Sequence, residues 1–189
     1  MRKMYLLLLP ALLIVLSACN QKIEGNMSET VEPFSFTNQD RETVELEDLE
    51  GEWWVADFIF TSCDTVCPPM TNNMSQLQEM TSEKDVDVQF ISFTVDPEQD
   101  NPEALKQFGN KFGADYENWS FLTGYEFDEI KTFGLKSFKT LVEDIQDSNQ
   151  MMHGTSFYLV NPEGKVIKKY SGVKNGELEQ IVADLQKVS

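Results

Sequence analysis

Residues 57–69 read Asp-Phe-Ile-Phe-Thr-Ser-Cys-Asp-Thr-Val-Cys-Pro-Pro, and this stretch joins an apolar run to two cysteines and two prolines. The apolar run, residues 53–60, has the composition of a strand in the middle of a sheet. The prolines suit the first turn of a helix, where a missing N–H group costs little. A strand–turn–helix unit is therefore predicted. A helical segment between Cys63 and Cys67 would place both sulfurs on one side, since residues four apart face the same way.

Two thiols at the end of a strand can form a disulfide, attack one, or hold a soft metal ion. A purely structural disulfide between Cys63 and Cys67 would stabilise little, because so short a loop removes little entropy from the unfolded chain. A helix N-terminus favours thiolate over thiol. Carboxylates such as Asp57 and Asp64 act in the opposite direction and raise the pKa of a nearby thiol. A bound cation would offset that effect, which favours metal binding.

The N-terminus has the features of an export signal. Arg2 and Lys3 precede an apolar segment that is too short to span a bilayer comfortably. Residues 16–19, Leu-Ser-Ala-Cys, resemble the lipobox of bacterial lipoproteins, in which the cysteine carries the lipid. The predicted segments are a lipoprotein signal peptide at 1–18 with lipidation of Cys19, a flexible tether at 19–32 and a folded domain at 33–189. The alternatives are an ordinary signal peptide and a single-span anchor.

The chain is strongly acidic, with 32 acidic and 15 basic residues and a net charge of −17. Removal of Arg2 and Lys3 with the signal leaves 13 basic residues, which makes the mature net charge about −19. Such a field repels nucleic acid and anionic lipid headgroups. We therefore predict no nucleic-acid binding, and attachment to the extracytoplasmic face of the cell membrane through the lipid.

The rest of the chain alternates strands with helices. Strands are predicted at 34–36, 44–46, 52–60, 86–95, 119–122, 138–145, 155–160 and 165–170, and helices at 68–84, 102–112, 125–135 and 177–187. This order, with cysteines after the first long strand, indicates an α/β, thioredoxin-like fold. Its central mixed sheet is flanked by helices, with a β-hairpin near the N-terminus and a β-hairpin plus helix at the C-terminus. No phosphate-binding glycine loop and no nucleophile elbow is present.

His153 is the sole histidine of the chain. It is predicted in a loop directly before the strand at 155–160, and a thioredoxin-like sheet brings that loop close to the cysteine turn. Two thiolates and one imidazole form a soft ligand set that suits Cu(I) or Cu(II) and can also bind Zn(II). The methionines are interpreted as core residues or neighbours of the site rather than as ligands; they are Met70, Met74, Met80, Met151 and Met152.

Four blocks of the sequence together resemble the Sco family of copper-binding, thioredoxin-fold assembly factors for the CuA centre of cytochrome c oxidase. They are residues 57–68 with the Cys-x-x-x-Cys-Pro motif, Ser-Phe-Thr-Val-Asp-Pro at 92–97, Trp-Ser-Phe-Leu-Thr-Gly at 119–124, and His153 followed by Phe-Tyr-Leu-Val-Asn-Pro-Glu-Gly at 157–164. The resemblance extends from about Val31 to the C-terminus.

The resemblance implies that Cys63, Cys67 and His153 are copper ligands. It also places Asp96 at an acidic position associated with the copper site. The residues alone allow Asp96 an equal role as a turn or helix cap beside Pro97.

Three positions depart from the family pattern. Many relatives have Pro, Asp and Ser where this chain has Asp64, Met152 and Gly154. The group that orients His153 is therefore left open.

The predicted function is a lipid-anchored copper metallochaperone that delivers copper from an unspecified donor to the CuA domain of cytochrome c oxidase subunit II. One alternative is a thiol–disulfide oxidoreductase that reduces the CuA cysteines, with Cys63 attacking and Cys67 resolving. A redox or copper sensor would use the same residues. A peroxiredoxin-like peroxidase would need a supporting arginine, and Arg41 is the sole arginine of the mature chain.

Overall fold

The computed structural model describes residues 23–145, 148 and 150–188. The predicted signal peptide and Cys19 lie outside these residues. Within them, no helix combines the length and the apolar character needed to cross a bilayer.

Ten strands and four helices alternate along the described chain. The strands are β1 (Glu29–Thr30), β2 (Ser35–Thr37), β3 (Thr43–Glu45), β4 (Trp54–Ile59), β5 (Gln89–Thr94), β6 (Trp119–Leu122), β7 (Val142–Asp144), β8 (Met151–His153), β9 (Ser156–Val160) and β10 (Lys165–Ser171). The helices are α1 (Cys67–Ser82), α2 (Pro102–Phe112), α3 (Phe127–Phe138) and α4 (Glu177–Leu185), with a short 3-10 helix at Leu46–Leu49.

Six strands form the central sheet in the order β1-β10-β9-β4-β5-β6. Strands β4, β5 and β6 are parallel, whereas β9, β10 and β1 add antiparallel pairs on the other side of β4. The predicted α/β class with a mixed sheet is therefore confirmed. The predicted hairpins are also present, as β2–β3 and β9–β10.

The core lies on β4, where all six residues are buried. The ring of Phe58 stacks on Phe93 and meets Phe138 and Tyr158 edge to face, with centroids 5.4 to 6.2 Å apart. Each such ring contributes roughly 1.5–3 kcal/mol through burial. From α1, the buried side chains include Met70, Met74 and Leu77. The core role predicted for the two methionines is confirmed.

Helix α3 ends three residues later than predicted, and most of the strand predicted at 138–145 is absent. The ring of Phe138 is buried in the aromatic cluster, which keeps it in the helix. Lys139 then stops the helix in a left-handed conformation with a φ of 51°. Only Val142–Asp144 remains extended, and it pairs with β8.

The strand predicted at 86–95 begins later, at Gln89. The backbone N–H of Val86 donates to the carbonyl of Thr81 at the end of α1, so this residue pairs with the helix rather than the sheet.

The tether predicted at 19–32 is wrong over residues 23–32. Ile23 and Val31 are buried, and β1 pairs with β10. The backbone N–H groups of Asn26 and Met27 both donate to the carbonyl of Ile167 at 3.0 and 3.1 Å. These residues form the edge of the sheet mainly through backbone hydrogen bonds. Every residue can make such bonds, so a polar sequence gives little indication of them.

Candidate metal centre

The two cysteines lie on a turn that follows β4 and leads into α1. The helix begins at Cys67, and residues 61–66 form turns and bends rather than helix. The segment between the cysteines is therefore not helical, and the two sulfurs do not share a helical face. Instead, the turn folds back over the start of the helix and brings Cys63 above it. Cys67 is fully buried and Cys63 is 6% exposed.

The prolines explain why the sulfur of Cys63 occupies this place. The first three residues of α1 are Cys67, Pro68 and Pro69, and only the cysteine has a backbone N–H. That N–H has no partner within the helix, and it donates to Cys63 Sγ at 3.3 Å. A thiolate is stabilised there by the hydrogen bond and by the helix dipole.

His153 comes from the β7–β8 hairpin, where it pairs with Val142. It lies at the end of a short strand and not in the predicted loop. Its Nε2 is 3.3 Å from Cys67 Sγ. Its Nδ1 is 3.0 Å from the carbonyl oxygen of Gly154, which can only accept, so Nδ1 donates and Nε2 is the nitrogen that faces the sulfur of Cys67. The backbone at Gly154 thus supplies the orienting group that the sequence left open.

The ring of Phe60 supports the same imidazole. It meets His153 edge to face, with centroids 5.7 Å apart and planes at 90°. This contact fixes the ring from the side of β4. Its signal in sequence is weak, because Phe60 reads as one more apolar residue of the strand.

The two sulfurs and one imidazole nitrogen lie within 4.8 Å of one another. Among the described residues, Cys63, Cys67 and His153 are the single group of three or more such ligands that approach this closely. Two metal–sulfur bonds of about 2.3 Å span at most about 4.6 Å, so one ion can reach all three atoms after small adjustments. The arrangement offers a soft metal three donors from two separate regions.

The two thiols differ in acidity. Burial raises the pKa of Cys63, but hydrogen bonds with His153, Cys67 and Thr65 outweigh it and lower the pKa to about 6. Burial raises the pKa of Cys67 well above its ordinary value, and the neighbouring Cys63 and Asp57 raise it further. At neutral pH Cys63 is therefore a thiolate and Cys67 a thiol. The predicted effect of carboxylates is confirmed for Cys67, whose pKa Asp57 raises, whereas hydrogen bonds decide the pKa of Cys63.

Asp57 is a fully buried carboxyl group on β4. Its Oδ1 accepts a hydrogen bond from Ser92 Oγ at 2.6 Å, and Ser92 Oγ accepts one from Trp119 Nε1 at 3.0 Å. Its Oδ2 has no hydrogen-bond partner. Burial raises the pKa of Asp57 to about 7, although Ser92 and His153 act to lower it. A lone acidic residue inside an apolar strand was the sequence signal for this group.

Asp100 is a second buried carboxylate that the sequence analysis missed. It accepts hydrogen bonds from the backbone N–H of Thr61 at 3.0 Å, from Thr61 Oγ1 at 2.5 Å and from Thr94 Oγ1 at 2.5 Å. It lies in an acidic loop before α2, where nothing in the sequence distinguishes it from its exposed neighbours.

Asp96 lies outside the three-ligand group. It lines a cleft of about 530 Å³ together with Thr61, Ser62 and Met151. Burial raises the pKa of Asp96, and the nearby Asp100 raises it further. A ligand role for Asp96 stays a prediction, as does its capping role.

Gly154 explains one departure from the family pattern. A Cβ atom at this position would lie 2.5 Å from Thr140 Oγ1 and 3.4 Å from the hydroxyl of Tyr158. The serine expected from the resemblance would therefore collide with Thr140 in this structure. The other departures, at Asp64 and Met152, involve exposed side chains.

Comparison with known proteins gives a consistent result. The SCO1/SenC family model matches residues 23–189. The chain is 48% identical over 177 residues to the SCO1 protein homolog of Bacillus subtilis (strain 168), covering 93% of this chain and 92% of that protein.

Solved structures match closely. A SCO1/SenC family lipoprotein from Bacillus anthracis str. Ames is 48% identical, with a TM-score of 0.84 over 87% of this chain and 97% of that one. BsSco, a member of the Sco family of cytochrome c oxidase assembly proteins in which a disulfide switch was identified, is 48% identical, with a TM-score of 0.82 over 89% and 98%. Copper-bound Bradyrhizobium japonicum ScoI is 23% identical, with a TM-score of 0.71 over 85% and 99%, and it supports the fold. The predicted thioredoxin-like fold is thereby confirmed.

Proposed function

This chain belongs to the SCO1/SenC family, and we propose that it is a copper metallochaperone for the CuA domain of cytochrome c oxidase subunit II. The observation that carries the proposal is the convergence of Cys63, Cys67 and His153 within 4.8 Å. Relatives described as copper-bound and as cytochrome c oxidase assembly proteins support both the metal and the target.

The donor set suits copper as a cargo. Cys63 offers a thiolate at neutral pH, and His153 presents Nε2 as its ligand nitrogen because Nδ1 is engaged by Gly154. Cys67 is a buried thiol in the metal-free protein, so copper binding must release its proton. Two soft sulfurs favour Cu(I), and the imidazole also permits Cu(II).

We further propose that a lipid on Cys19 anchors the domain at the extracytoplasmic face of the cell membrane. The lipobox-like residues 16–19 support this, and the similar Bacillus anthracis protein is described as a lipoprotein. The acidic charge leaves the lipid as the means of attachment.

Anaerobic copper titration of the full-length chain in detergent tests the copper site. We expect tight binding in the wild type and strongly weakened binding in Cys63→Ala and His153→Ala. The matched control is Cys19→Ala, which removes the third cysteine, keeps copper binding, and loses membrane attachment. Undiminished affinity in both site variants would overturn the proposal.

Deletion of the gene tests delivery in the cell. We expect cytochrome c oxidase activity to fall and added copper to restore it. If a thiol reductant restores the oxidase activity and copper does not, the result would favour reduction of the target cysteines over copper delivery.

That second candidate function, reduction of the CuA cysteines, is favoured by the unequal thiols. The Cys63 thiolate attacks the target disulfide and forms a mixed disulfide, releasing one target thiolate. Cys67 then loses its proton and attacks Cys63, which releases the second target thiolate and leaves a Cys63–Cys67 disulfide. Two electrons pass to the target.

A His153→Ala variant does not separate the two functions, because His153 also lowers the pKa of Cys63. A cleaner test mixes the metal-free reduced chain with an oxidised CuA domain and counts target thiols. Two new thiols in each target indicate reduction. Copper transfer from the loaded chain to a reduced domain, without thiol exchange, indicates delivery.

A further inference from the structure

We propose that Asp100 is a positioning residue that holds the Cys63 turn in the geometry the metal centre requires. It touches neither a ligand atom nor the site of the metal. It acts through Thr61, two residues before Cys63. The part of this inference that concerns copper affinity rests on the proposed function, whereas the part that concerns the position of the turn does not.

The contacts of Asp100 join three separate pieces of the fold. Its Oδ1 accepts from Thr61 Oγ1, and its Oδ2 accepts from both Thr61 N and Thr94 Oγ1. Thr61 belongs to the cysteine turn, and Thr94 ends β5. A turn whose backbone and side chain are both held by one buried carboxylate cannot shift without leaving these donors unpaired.

Asp100 is itself held in place. Its backbone N–H donates to the carbonyl of Asp96 at 2.9 Å. The next residue, Asn101, is the N-cap of α2 and accepts from Ala104 N at 3.0 Å. The carboxylate is therefore fixed by the start of a helix, and it transmits that fixed position to Thr61.

The consequence reaches Cys63 through a short path. The backbone N–H of Cys63 donates to the carbonyl of Phe60 at 3.3 Å, across the residue that Asp100 holds. This turn places Cys63 Sγ over the N–H of Cys67. A looser turn would weaken that hydrogen bond and move the Cys63 sulfur away from the other two ligand atoms.

A carboxylate fits these partners better than an amide. Its two oxygens accept from one backbone N–H and two hydroxyls. Asparagine has the same shape, but it carries no charge, and its NH2 group in place of one oxygen would force a threonine hydroxyl to accept instead of donate. Asp100→Asn therefore weakens this network with little change in volume.

The chain offers a matched control in Asp184. It too is a buried aspartate, and it accepts hydrogen bonds from Lys168, Tyr170 and Lys187. Its partners lie on β10 and around α4, away from the cysteine turn. Asp184→Asn should weaken the fold without altering the metal centre.

The first measurement is backbone hydrogen exchange in the metal-free chain, comparing the amides of residues 61–67 with those of β4, so that a uniform loss of stability does not count. We expect Asp100→Asn to speed exchange at Thr61 and Cys63 relative to β4, and Thr61→Val, which removes one hydroxyl donor, to speed it less. Asp184→Asn should leave this ratio unchanged. An unchanged ratio in folded Asp100→Asn would overturn the proposal.

The second measurement is copper affinity with the copper–thiolate absorption spectrum. We expect Asp100→Asn to lower affinity about 10- to 100-fold, the range for groups that orient a metal ligand. Its spectrum should change, whereas that of Asp184→Asn should not. If Asp100→Asn fails to fold, Thr61→Val carries the test, and wild-type hydrogen exchange together with a wild-type spectrum in Thr61→Val would overturn the inference. Failure of the wild type to bind copper would overturn the proposed function, while hydrogen exchange in the metal-free chain would still decide the role of Asp100.

Discussion

The turn that carries Cys63 and Cys67 is held by several buried polar groups, whereas the hairpin that carries His153 reaches the core through Val142 and is otherwise held near the surface. Asp100 and the start of α1 hold the turn through buried groups. The hairpin is held from outside by the pair Lys131–Glu143 at 2.6 Å, whose side chains are 40% and 47% exposed. Met152, next to the histidine, is 54% exposed.

The two regions therefore have different roles: the turn fixes the position of the metal site, and movement of the hairpin would open it. The buried turn fixes where two sulfurs lie. The hairpin closes the site with one nitrogen, and its exposed ion pair contributes at most about 1 kcal/mol. A carrier that must give up its cargo benefits from one ligand that can leave while two remain.

The largest expected effect tests whether the two regions contribute unequally to copper binding. Cys67→Ser should abolish measurable Cu(I) binding, because it removes a soft ligand from the buried region. His153→Ala should retain weaker binding through both sulfurs. Competition with a Cu(I) chelator measures both, and equal losses would remove the distinction between the regions.

The second prediction concerns Asp57, at the base of the anchored region. Its folded pKa of about 7 lies above the ordinary 3.8, so the stability that its proton confers is full below about pH 4 and is lost as the pH rises through 7. The asparagine in Asp57→Asn does not titrate. The free energy of unfolding of this variant should therefore increase relative to that of the wild type as the pH rises from 4 to 8. The shift from 3.8 to about 7 corresponds to on the order of 4 kcal/mol.

Urea unfolding of the metal-free chain at several pH values gives this difference. Comparison with the wild type at each pH cancels the contribution of Cys63, which acts in the opposite direction between about pH 6 and 9. A difference that does not vary with pH would show that Asp57 is ionised in the fold throughout.

The third prediction concerns a substitution that disturbs the packing of the hairpin against Thr140. Gly154→Ala places a Cβ 2.5 Å from Thr140 Oγ1, which should cost about 1–2 kcal/mol and displace His153. Thermal unfolding and the rate of copper release to a chelator measure the two effects. Thr140→Ala in the same chain should restore both, and additive effects of the two substitutions would argue against the collision.

The smallest effect should come from the exposed ion pair between Lys131 and Glu143 of the hairpin. Lys131→Ala removes its ion pair with Glu143 and should cost about 0–1 kcal/mol, with a loss that shrinks at high salt. Urea unfolding at low and high salt checks this. A cost above about 2 kcal/mol would show the hairpin to be as firmly held as the turn.

Local sequence patterns predicted most of the fold and the ligand residues. Three short patterns each indicate a local structure: the apolar run of β4, the two prolines and the cysteine spacing. His153 was found because it is the sole histidine and because of the resemblance to a family, not through a local pattern.

The rest depends on contacts between distant residues. Asp100 looks like any acidic loop residue until β5 and the cysteine turn surround it. The acidity of Cys63 follows from a histidine ninety positions later in the chain and from an N–H that the prolines leave unshared. The edge strand β1 is formed by backbone groups, which every residue possesses.

That edge strand limits the distance between the folded domain and the membrane surface if Cys19 carries a lipid. The folded part extends back at least to Ile23, four residues after Cys19. A fully extended chain covers at most about 3.6 Å per residue, so a lipid on Cys19 would hold Ile23 within roughly 15 Å of its attachment point. The domain would then sit against the bilayer rather than range over it, and a copper acceptor would have to present its own ligands at that same level.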